Sequence, residues 1–217
     1  MQLIKRLFSV LVLLSFYSND SICQERKDLG IQAGGSYYMG DYNQGTPLYQ
    51  VSPSFGLIYR YNLNKYYSLR LSAGYGSLRG SYTAQSPYLP GVTGSFSKQV
   101  IDIEGLCEIN FMSFTTLRYK KDNFTPYVII GVGGAYIGGS IIPKIPFGLG
   151  VKYCPASRVT IGLEWRFNKT FDDGIDNYHN VYDGSKAMFH NNDWFSFMGL
   201  TVTYRLFNNK FTCPAYQ

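Results

Sequence analysis

The sequence contains few of the residues from which metal sites and hydrolytic centres are built. It has two histidines and four cysteines in 217 residues, and their spacing fits no zinc motif. Charged residues make up only 16% of the chain and form no block, and no sustained 3.6-residue period indicates long helices. Apolar runs also stay short of the roughly 20 residues that a membrane-spanning helix needs. We therefore expect no metal, no cofactor and no helical membrane span.

The N-terminal segment has the composition of a secretory signal peptide. Lys5 and Arg6 precede a short apolar run, and Ser21 and Cys23 are small residues three and one before a cleavage point. We expect cleavage after Cys23, so that residues 1–23 are the signal peptide and residues 24–217 form one domain. The alternative is a lipoprotein acylated at Cys23. Export, together with the scattered positions of Lys and Arg, argues against nucleic acid as a partner.

What the chain has in abundance is aromatic residues, at 17%, and glycine, at 23 residues. Apolar and polar residues alternate with period two along most of the domain, as in half-buried strands. In one such run, Val159 and Ile161 alternate with Thr160 and Gly162. With a first strand at about Leu29 to Gly40 and the glycine-rich stretch "VIIGVGGAYIGGS" at residues 128–140, the pattern predicts eight strands.

The two faces of these strands differ in chemistry. The apolar face has Tyr or Trp near strand ends, as an interfacial aromatic girdle would, at Tyr61, Tyr67, Tyr153, Trp165, Trp194 and Tyr204. The other face carries both signs of charge in similar number, which is typical of a narrow interior where charges pair. We expect a lumen charge network formed by Arg60, Arg70, Asp102, Glu104, Glu108, Lys152, Glu164, Arg166 and Arg205.

These faces predict an all-β fold, an eight-stranded antiparallel up-and-down transmembrane β-barrel that follows the cleaved signal peptide. Its place would be the bacterial outer membrane, as an integral protein with both termini in the periplasm and with outer-membrane lipid around it. The alternative is a soluble exported barrel that binds a ligand in an apolar lumen. A diffusion pore is disfavoured on steric grounds, because eight strands leave no aqueous channel.

The glycines of residues 128–140 do not form a dinucleotide-binding loop. Gly131 and Gly133 match the start of G-x-G-x-x-G, but the third glycine of that motif falls on Tyr136 and no helix pattern follows. Gly131, Gly133 and Ala135 share the lumen parity of their strand. We interpret them as small residues that make room for large Arg and Glu side chains from neighbouring strands.

The predicted links between strands suggest where a partner binds. Links near residues 63–65 and 154–157 are short, whereas the links after strands one, three and seven are long. The link between strands four and five lies at the end of the short links yet runs from Met112 to Asn123. It carries cations beside aromatics, a common composition of docking surfaces. The hypothetical partner-binding residues are Arg118, Tyr119, Lys120 and Lys121; the alternative is a basic turn that touches lipid head groups.

Three cysteines remain after cleavage. Cys107 has the lipid-facing parity, and we expect a free thiol there. Cys154 in a short turn and Cys213 in the C-terminal tail belong to the same end of the barrel. Because the periplasm is oxidising, we predict a possible Cys154–Cys213 disulfide.

One long predicted loop contains residues that could in principle support catalysis or metal binding. Ser185, His179, His190 and Asp183 are the types that barrel lipid hydrolases use, and Asp172, Asp173 and Asp176 could ligate calcium. No strand face pairs a base with a nucleophile, and loops of this kind are polar anyway. We expect a protein that is not an enzyme, with an outer-membrane enzyme acting on lipid as the alternative.

Three stretches carry a family resemblance: "GGSYYMGDYN" at Gly34–Asn43, "IPFGLGVKY" at Ile145–Tyr153 and "GLEWRFNKTFDDGIDN" at Gly162–Asn177. They resemble the PorG-like outer-membrane proteins of the type IX secretion and gliding apparatus. Thr170 to Asp173 departs from the commoner form of the last motif. The resemblance implies a non-enzymatic barrel that anchors a periplasmic ring, built of a lipoprotein and its partner protein, to the outer membrane.

Overall fold

The computed structural model describes residues 27–39, 48, 50–82, 94–114, 123–156, 158–171 and 194–206. Within these ranges the chain forms strands only, and no helix is long and apolar enough to span a membrane. The strands are β1 (Lys27–Met39), β2 (Ser52–Asn62), β3 (Tyr67–Tyr82), β4 (Gly94–Asn110), β5 (Phe124–Ile137), β6 (Ser140–Ala156), β7 (Val159–Thr170) and β8 (Trp194–Arg205). The predicted signal peptide lies outside the described residues.

The eight strands close into a barrel in which each strand pairs antiparallel with the next in sequence. The last pairing closes the barrel between β1 and β8, with Ile31 opposite Val202 and Leu29 opposite Tyr204. Closure leaves no unpaired strand edge, which is the condition for placing β-structure in a bilayer. The predicted eight-stranded up-and-down barrel is confirmed.

One end of the barrel carries links of very different length. Residues 63–66 join β2 to β3, and the Asn64 side chain accepts hydrogen bonds of 2.8 Å from the N–H groups of Tyr66 and Tyr67. Residues 157–158 join β6 to β7, with Arg158 in the left-handed region at a φ of 87°. Residues 111–123 join β4 to β5. We call this the short-turn end, and its β4–β5 link is the exception that the sequence predicts.

At the opposite end, the link between β5 and β6 differs from the prediction. The alternation suggested a sixth strand from Phe147, but β6 begins at Ser140 and follows a two-residue turn. Gly138 and Gly139 make this turn with φ angles of 58° and 99°, which only glycine adopts without strain. Pro143 and Pro146 disguised the first part of β6, because proline inside a run is a signal against a strand.

The outer and inner faces of the barrel are inverted relative to a water-soluble protein. Outward-facing Val132, Leu57 and Ile103 are 70%, 64% and 61% exposed, whereas inward-facing arginines, lysines and glutamates are buried. An apolar outside and a polar inside are the pattern of transmembrane β-barrels. The fold is that of an outer-membrane β-barrel, and the alternative of a soluble barrel with an apolar ligand pocket is wrong.

The β3–β4 hairpin extends beyond the apolar band. Past Tyr75 and Ile101 its outward residues become polar, at Ser77, Arg79, Ser95, Ser97 and Gln99. Over the same stretch Leu78 and Phe96 point inward and are buried. The change of polarity along two paired strands marks the level at which the wall leaves the hydrocarbon.

The inward glycines allow strands and side chains to approach closely. A Cβ on Gly131 would lie 2.0 Å from the carbonyl oxygen of Gly105, and a Cβ on Gly133 would lie 2.8 Å from the Cβ of Glu104. At Gly150 a Cβ would lie 2.7 Å from the Tyr127 ring. Room for large side chains is therefore part of the reason for these glycines, and the close approach of neighbouring backbone is the rest.

A closed barrel predicts heat-modifiable migration on a denaturing gel. Unheated protein should keep its hydrogen-bonded wall in detergent and migrate differently from boiled protein, because no strand edge offers a starting point for unfolding. Identical migration of heated and unheated samples, with recovery in a soluble fraction, would contradict the membrane assignment.

Leu200 provides a test of the lipid-facing wall. Its side chain is 55% exposed in the middle of β8, opposite Ala33 and Leu163. Leu200→Arg should lower the free energy of unfolding in vesicles by about 2–4 kcal/mol, the cost of Arg near the bilayer midplane. The matched control is Ser97→Arg on the polar β3–β4 extension, for which we expect a change of about 0.5 kcal/mol or less. Equal effects at the two positions would refute the assignment of Leu200 to the apolar band and of Ser97 to the region outside it.

Candidate functional site

The centre of the lumen is occupied by Glu108, which is fully buried and surrounded by three cations. Its carboxylate lies 2.9 Å from Arg60 Nε, 3.4 Å from Arg70 Nη1 and 2.6 Å from Lys152 Nζ. These cations come from β2, β3 and β6, so the carboxylate on β4 ties together strands from across the barrel. A buried charge needs such partners, because the alternative is a large desolvation cost.

A second carboxylate, Glu164 on β7, continues the network from Arg70. Arg70 Nη1 approaches Glu164 Oε2 at 2.5 Å, and Arg166 Nη1 approaches Oε1 at 3.3 Å. The Tyr127 hydroxyl donates to Glu164 Oε2 at 2.8 Å. The Gln32 side-chain oxygen accepts from Arg70 at 2.9 Å and from Arg166 at 3.5 Å. One layer of side chains thus crosses the lumen from β3 to β7, with contributions from β1 and β5.

Toward the opposite end from the short turns, the network ends at Lys144. Glu104 Oε1 lies 2.5 Å from Arg166 Nη1, and Glu104 Oε2 lies 2.9 Å from Lys144 Nζ. Lys144 also forms an ion pair with Asp102 and donates a hydrogen bond of 3.0 Å to Asn168. These contacts join β4, β6 and β7.

Toward the short-turn end, the network ends at Asp28. Arg205 Nε lies 3.0 Å from Asp28 Oδ1, and Asn62 donates to Asp28 Oδ2 at 2.9 Å. Arg60 Nη1 lies 3.9 Å from the same carboxylate, which links this group to Glu108. Because Asp28 is on β1 and Arg205 on β8, their contact also spans the seam that closes the barrel.

The described residues therefore form one connected series of alternating charges along the lumen. All nine residues of the predicted lumen network lie on the inner face and take part in it. Sequence reasoning missed Asp28, Lys144, Gln32 and Tyr127. Asp28 lies just before the predicted start of strand one, and Lys144 lies before the predicted start of strand six. Both residues have the inward-facing parity of their strands, so correct strand bounds would have assigned them to the lumen.

At the end of the barrel opposite the short turns, apolar side chains fill the lumen beyond the charges. This apolar cap consists of Tyr38, Leu78, Phe96, Val100, Ala135, Ile137, Ile142 and Phe195. Tyr38 and Phe96 meet edge to face with ring centroids 5.1 Å apart. Between cap and charges a space of about 10 Å³ remains, about the size of one water. The described part of the lumen offers no path for solutes.

No group of three metal-ligating side chains occurs within the described ranges. The loop residues His179, Asp183, Ser185 and His190 lie outside those ranges. The same holds for the other candidate ligands of that loop, Asp172, Asp173 and Asp176.

The root of the β4–β5 link is held against the short-turn end of the barrel. Met112 N–H donates to the Thr125 hydroxyl at 3.1 Å, and Phe114 N–H donates to the Lys65 carbonyl at 3.2 Å. The Phe114 ring lies under Lys152, with its centroid 5.7 Å from Nζ. Phe111 and Met112 remain 64% and 52% exposed. The hypothetical partner-binding residues Arg118, Tyr119, Lys120 and Lys121 lie outside the described residues.

The cysteine predictions have different outcomes. Cys107 is a free thiol on the outer wall, as expected. Cys154 was placed in a turn, but β6 continues to Ala156 and its side chain is buried on the inner face. The Cys154 thiol donates to the Ala156 carbonyl at 3.1 Å, and the Cys154–Cys213 bridge stays a prediction. Cys213 lies outside the described residues.

A family model described as a domain of unknown function (DUF6089) matches residues 5–215. The chain belongs to this family. No curated protein matches the sequence.

Solved structures of outer-membrane barrels are similar to the DUF6089 barrel at low sequence identity. Neisserial surface protein A is 15% identical with a TM-score of 0.48, covering 83% of this chain and 97% of that one. Ail, the attachment invasion locus protein of Yersinia pestis, is 13% identical with a TM-score of 0.46, covering 84% and 100%. The outer membrane protein OprG of Pseudomonas aeruginosa is 10% identical with a TM-score of 0.46, covering 84% and 98%.

Truncation of Glu164 tests whether the DUF6089 barrel depends on its charge network. Glu164→Ala leaves Arg70 and Arg166 without a carboxylate that both contact, and removal of one partner from a buried ion pair costs about 3–5 kcal/mol. The free energy of unfolding in vesicles should fall by that amount. Thr201→Ala, a buried truncation on the same inner wall that leaves every charge in place, should cost only about 1 kcal/mol. Comparable losses for both variants would show that the network has no special role.

Proposed function

We propose that this chain is a non-enzymatic outer-membrane barrel that acts as a membrane anchor or assembly component of the type IX protein secretion machinery. In this proposal the short-turn end and both termini face the periplasm. The barrel docks a periplasmic ring complex there, formed by a ring lipoprotein and its partner protein. The wall serves to hold a docking surface at the membrane, and the lumen conducts nothing.

The observation that carries the proposal is the unequal length of the links at one end. Two of the three links between strands at the short-turn end have four and two residues, whereas the β4–β5 link has thirteen. Links on the periplasmic side of such barrels are usually minimal. An extended link on that side, above a lumen filled with side chains, favours a binding role over transport.

The described root of this link already has the features of a contact surface. Phe111 and Met112 present exposed apolar side chains, and hydrogen bonds from Met112 and Phe114 fix the backbone against the barrel. A fixed backbone lowers the ordering cost of association. Tyr119 and the cations Arg118, Lys120 and Lys121 follow within a few residues, and aromatic and Arg side chains supply most hot spots of interfaces. An acidic patch is the complementary partner surface.

The sequence resemblance names the partner class. Residues 34–43, 145–153 and 162–177 resemble PorG-like proteins of the type IX secretion and gliding apparatus, and the similar stretches are spread over much of the domain. This supports a ring lipoprotein and its partner protein as the occupants of the short-turn surface.

Replacement of Arg118, Lys120 and Lys121 by Ala tests the docking surface. These changes leave every strand intact, so the barrel should still insert and remain heat-modifiable. Co-purification of ring components from gently solubilised membranes, and secretion of cargo, should both be lost because the cations that contact the partner are gone.

The matched control removes the same charge from the other end of the barrel, with Arg79, Lys98 and Lys169 replaced by Ala. Secretion and co-purification should survive in this control. If both survive in the Arg118, Lys120 and Lys121 variant as well, the link is not the docking site. Lipid turnover by the purified wild-type barrel would instead favour an outer-membrane enzyme.

A further inference from the structure

Gly105 on β4 is a glycine that the packing of the barrel does not require. A Cβ on Gly131 or Gly133 would collide with a neighbouring strand, but a Cβ on Gly105 would meet no atom of the described residues within 4 Å. Gly105 faces outward in the apolar band, between Leu71 on β3 and Val132 on β5. The missing side chain therefore opens the lipid-facing wall rather than relieving a clash.

The opening continues into a groove along β4. In the next outward row Cys107 lies between Leu69 and Ile130, and its side chain is smaller than both. Leu69 and Leu71 form one wall of the groove, and Ile130 and Val132 form the other. The open space over the groove, which also extends to Tyr59 and Tyr61 on β2, is about 640 Å³. Adjacent strands are about 4.8 Å apart, so the two walls stand roughly 10 Å apart between backbones. That separation admits one hydrocarbon chain between two rows of aliphatic side chains.

The groove lies in one leaflet of the bilayer. Asn110, the last residue of β4, lies five residues further along the strand than Gly105. At about 3.3 Å per residue and a tilt of about 40°, Gly105 is roughly 12 Å from the short-turn end of the strand, close to half of a hydrocarbon core of about 30 Å. An acyl chain that starts at the short-turn interface would therefore fill the groove and end near the bilayer midplane.

A cation lies at the foot of the groove. Lys65 is exposed in the β2–β3 turn, and its carbonyl accepts hydrogen bonds from Asn110 Nδ2 at 3.1 Å and Phe114 N at 3.2 Å. These contacts place the turn beside the end of β4. Both hydrogen bonds use the backbone carbonyl and Lys65 is exposed, so its ammonium group can face a lipid phosphate. Tyr66 and Tyr67, both exposed, provide phenol rings at the same level, as in interfacial girdles.

We propose that this groove is a binding site for one phospholipid of the leaflet at the short-turn end. One acyl chain lies along β4 over Gly105 and Cys107, and the phosphate lies beside Lys65. The occupant is a lipid because the groove is in the band that bilayer hydrocarbon surrounds, and because apolar walls and a basic foot match the two parts of a phospholipid. The site does not depend on the proposed docking function.

Native mass spectrometry of the barrel extracted from its membrane in mild detergent tests this site. The wild-type protein should retain one phospholipid. Gly105→Leu fills the groove and displaces part of the acyl chain. Loss of burial for two methylene groups lowers affinity roughly tenfold, so bound lipid should fall by about that factor. Cys107→Leu fills the groove from the next row and should act in the same way. Lys65→Ala should weaken retention without blocking the groove.

The matched control is Gly134→Leu, because Gly134 also faces outward and a Cβ there would meet no atom closer than 3.9 Å, but it lies outside the groove. This variant should retain lipid like the wild type, and heat-modifiable migration checks that each variant folds. Equal lipid retention in the Gly105→Leu variant and the wild-type protein would overturn the proposal. So would a wild-type dimer that Gly105→Leu dissociates, since a second copy would then occupy the groove. Unchanged retention in Lys65→Ala would overturn the phosphate assignment.

Discussion

The pairing of Glu108 with three cations is the interaction on which the rest of the structure depends. A fully buried carboxylate among Arg60, Arg70 and Lys152 is stable only if all of them converge, and they come from different strands of the barrel. The same condition applies at Glu164 and Glu104, so the charges form a series that fixes which side chains meet across the lumen. Since removal of either sign leaves an unpaired buried charge, the lumen specifies one arrangement.

This requirement explains several other features. Large charged side chains fit an eight-stranded lumen only where neighbouring positions are small, which accounts for part of the inward glycine content. The charge network and the apolar cap together fill the described lumen. A barrel of this kind can act through its outer wall and its two ends, and the proposed docking link and lipid groove both lie there.

Much of the fold could be predicted from sequence because strand parity and burial follow one rule. The nine predicted network residues were assigned from alternation alone, and Cys107 was placed on the lipid side in the same way. Strand ends were harder to predict. Pro143 and Pro146 conceal the start of β6, so Lys144 was not included in the predicted network. Cys154 shows the same weakness, since Pro155 suggested a turn where the strand continues. The groove at Gly105 could not be predicted, because it depends on cross-strand neighbours, and these are known only once the strand register is known.

The central claim is that side chains fill the lumen of a membrane-spanning barrel, and solute flux tests it most directly. Purified protein inserted into vesicles with an entrapped small dye, with insertion confirmed by flotation and heat-modifiable migration, should release no more dye than protein-free vesicles. Sustained dye release, or stepwise ion conductance of the same preparation in a planar bilayer, would contradict a lumen filled by the Glu108 network and its apolar cap.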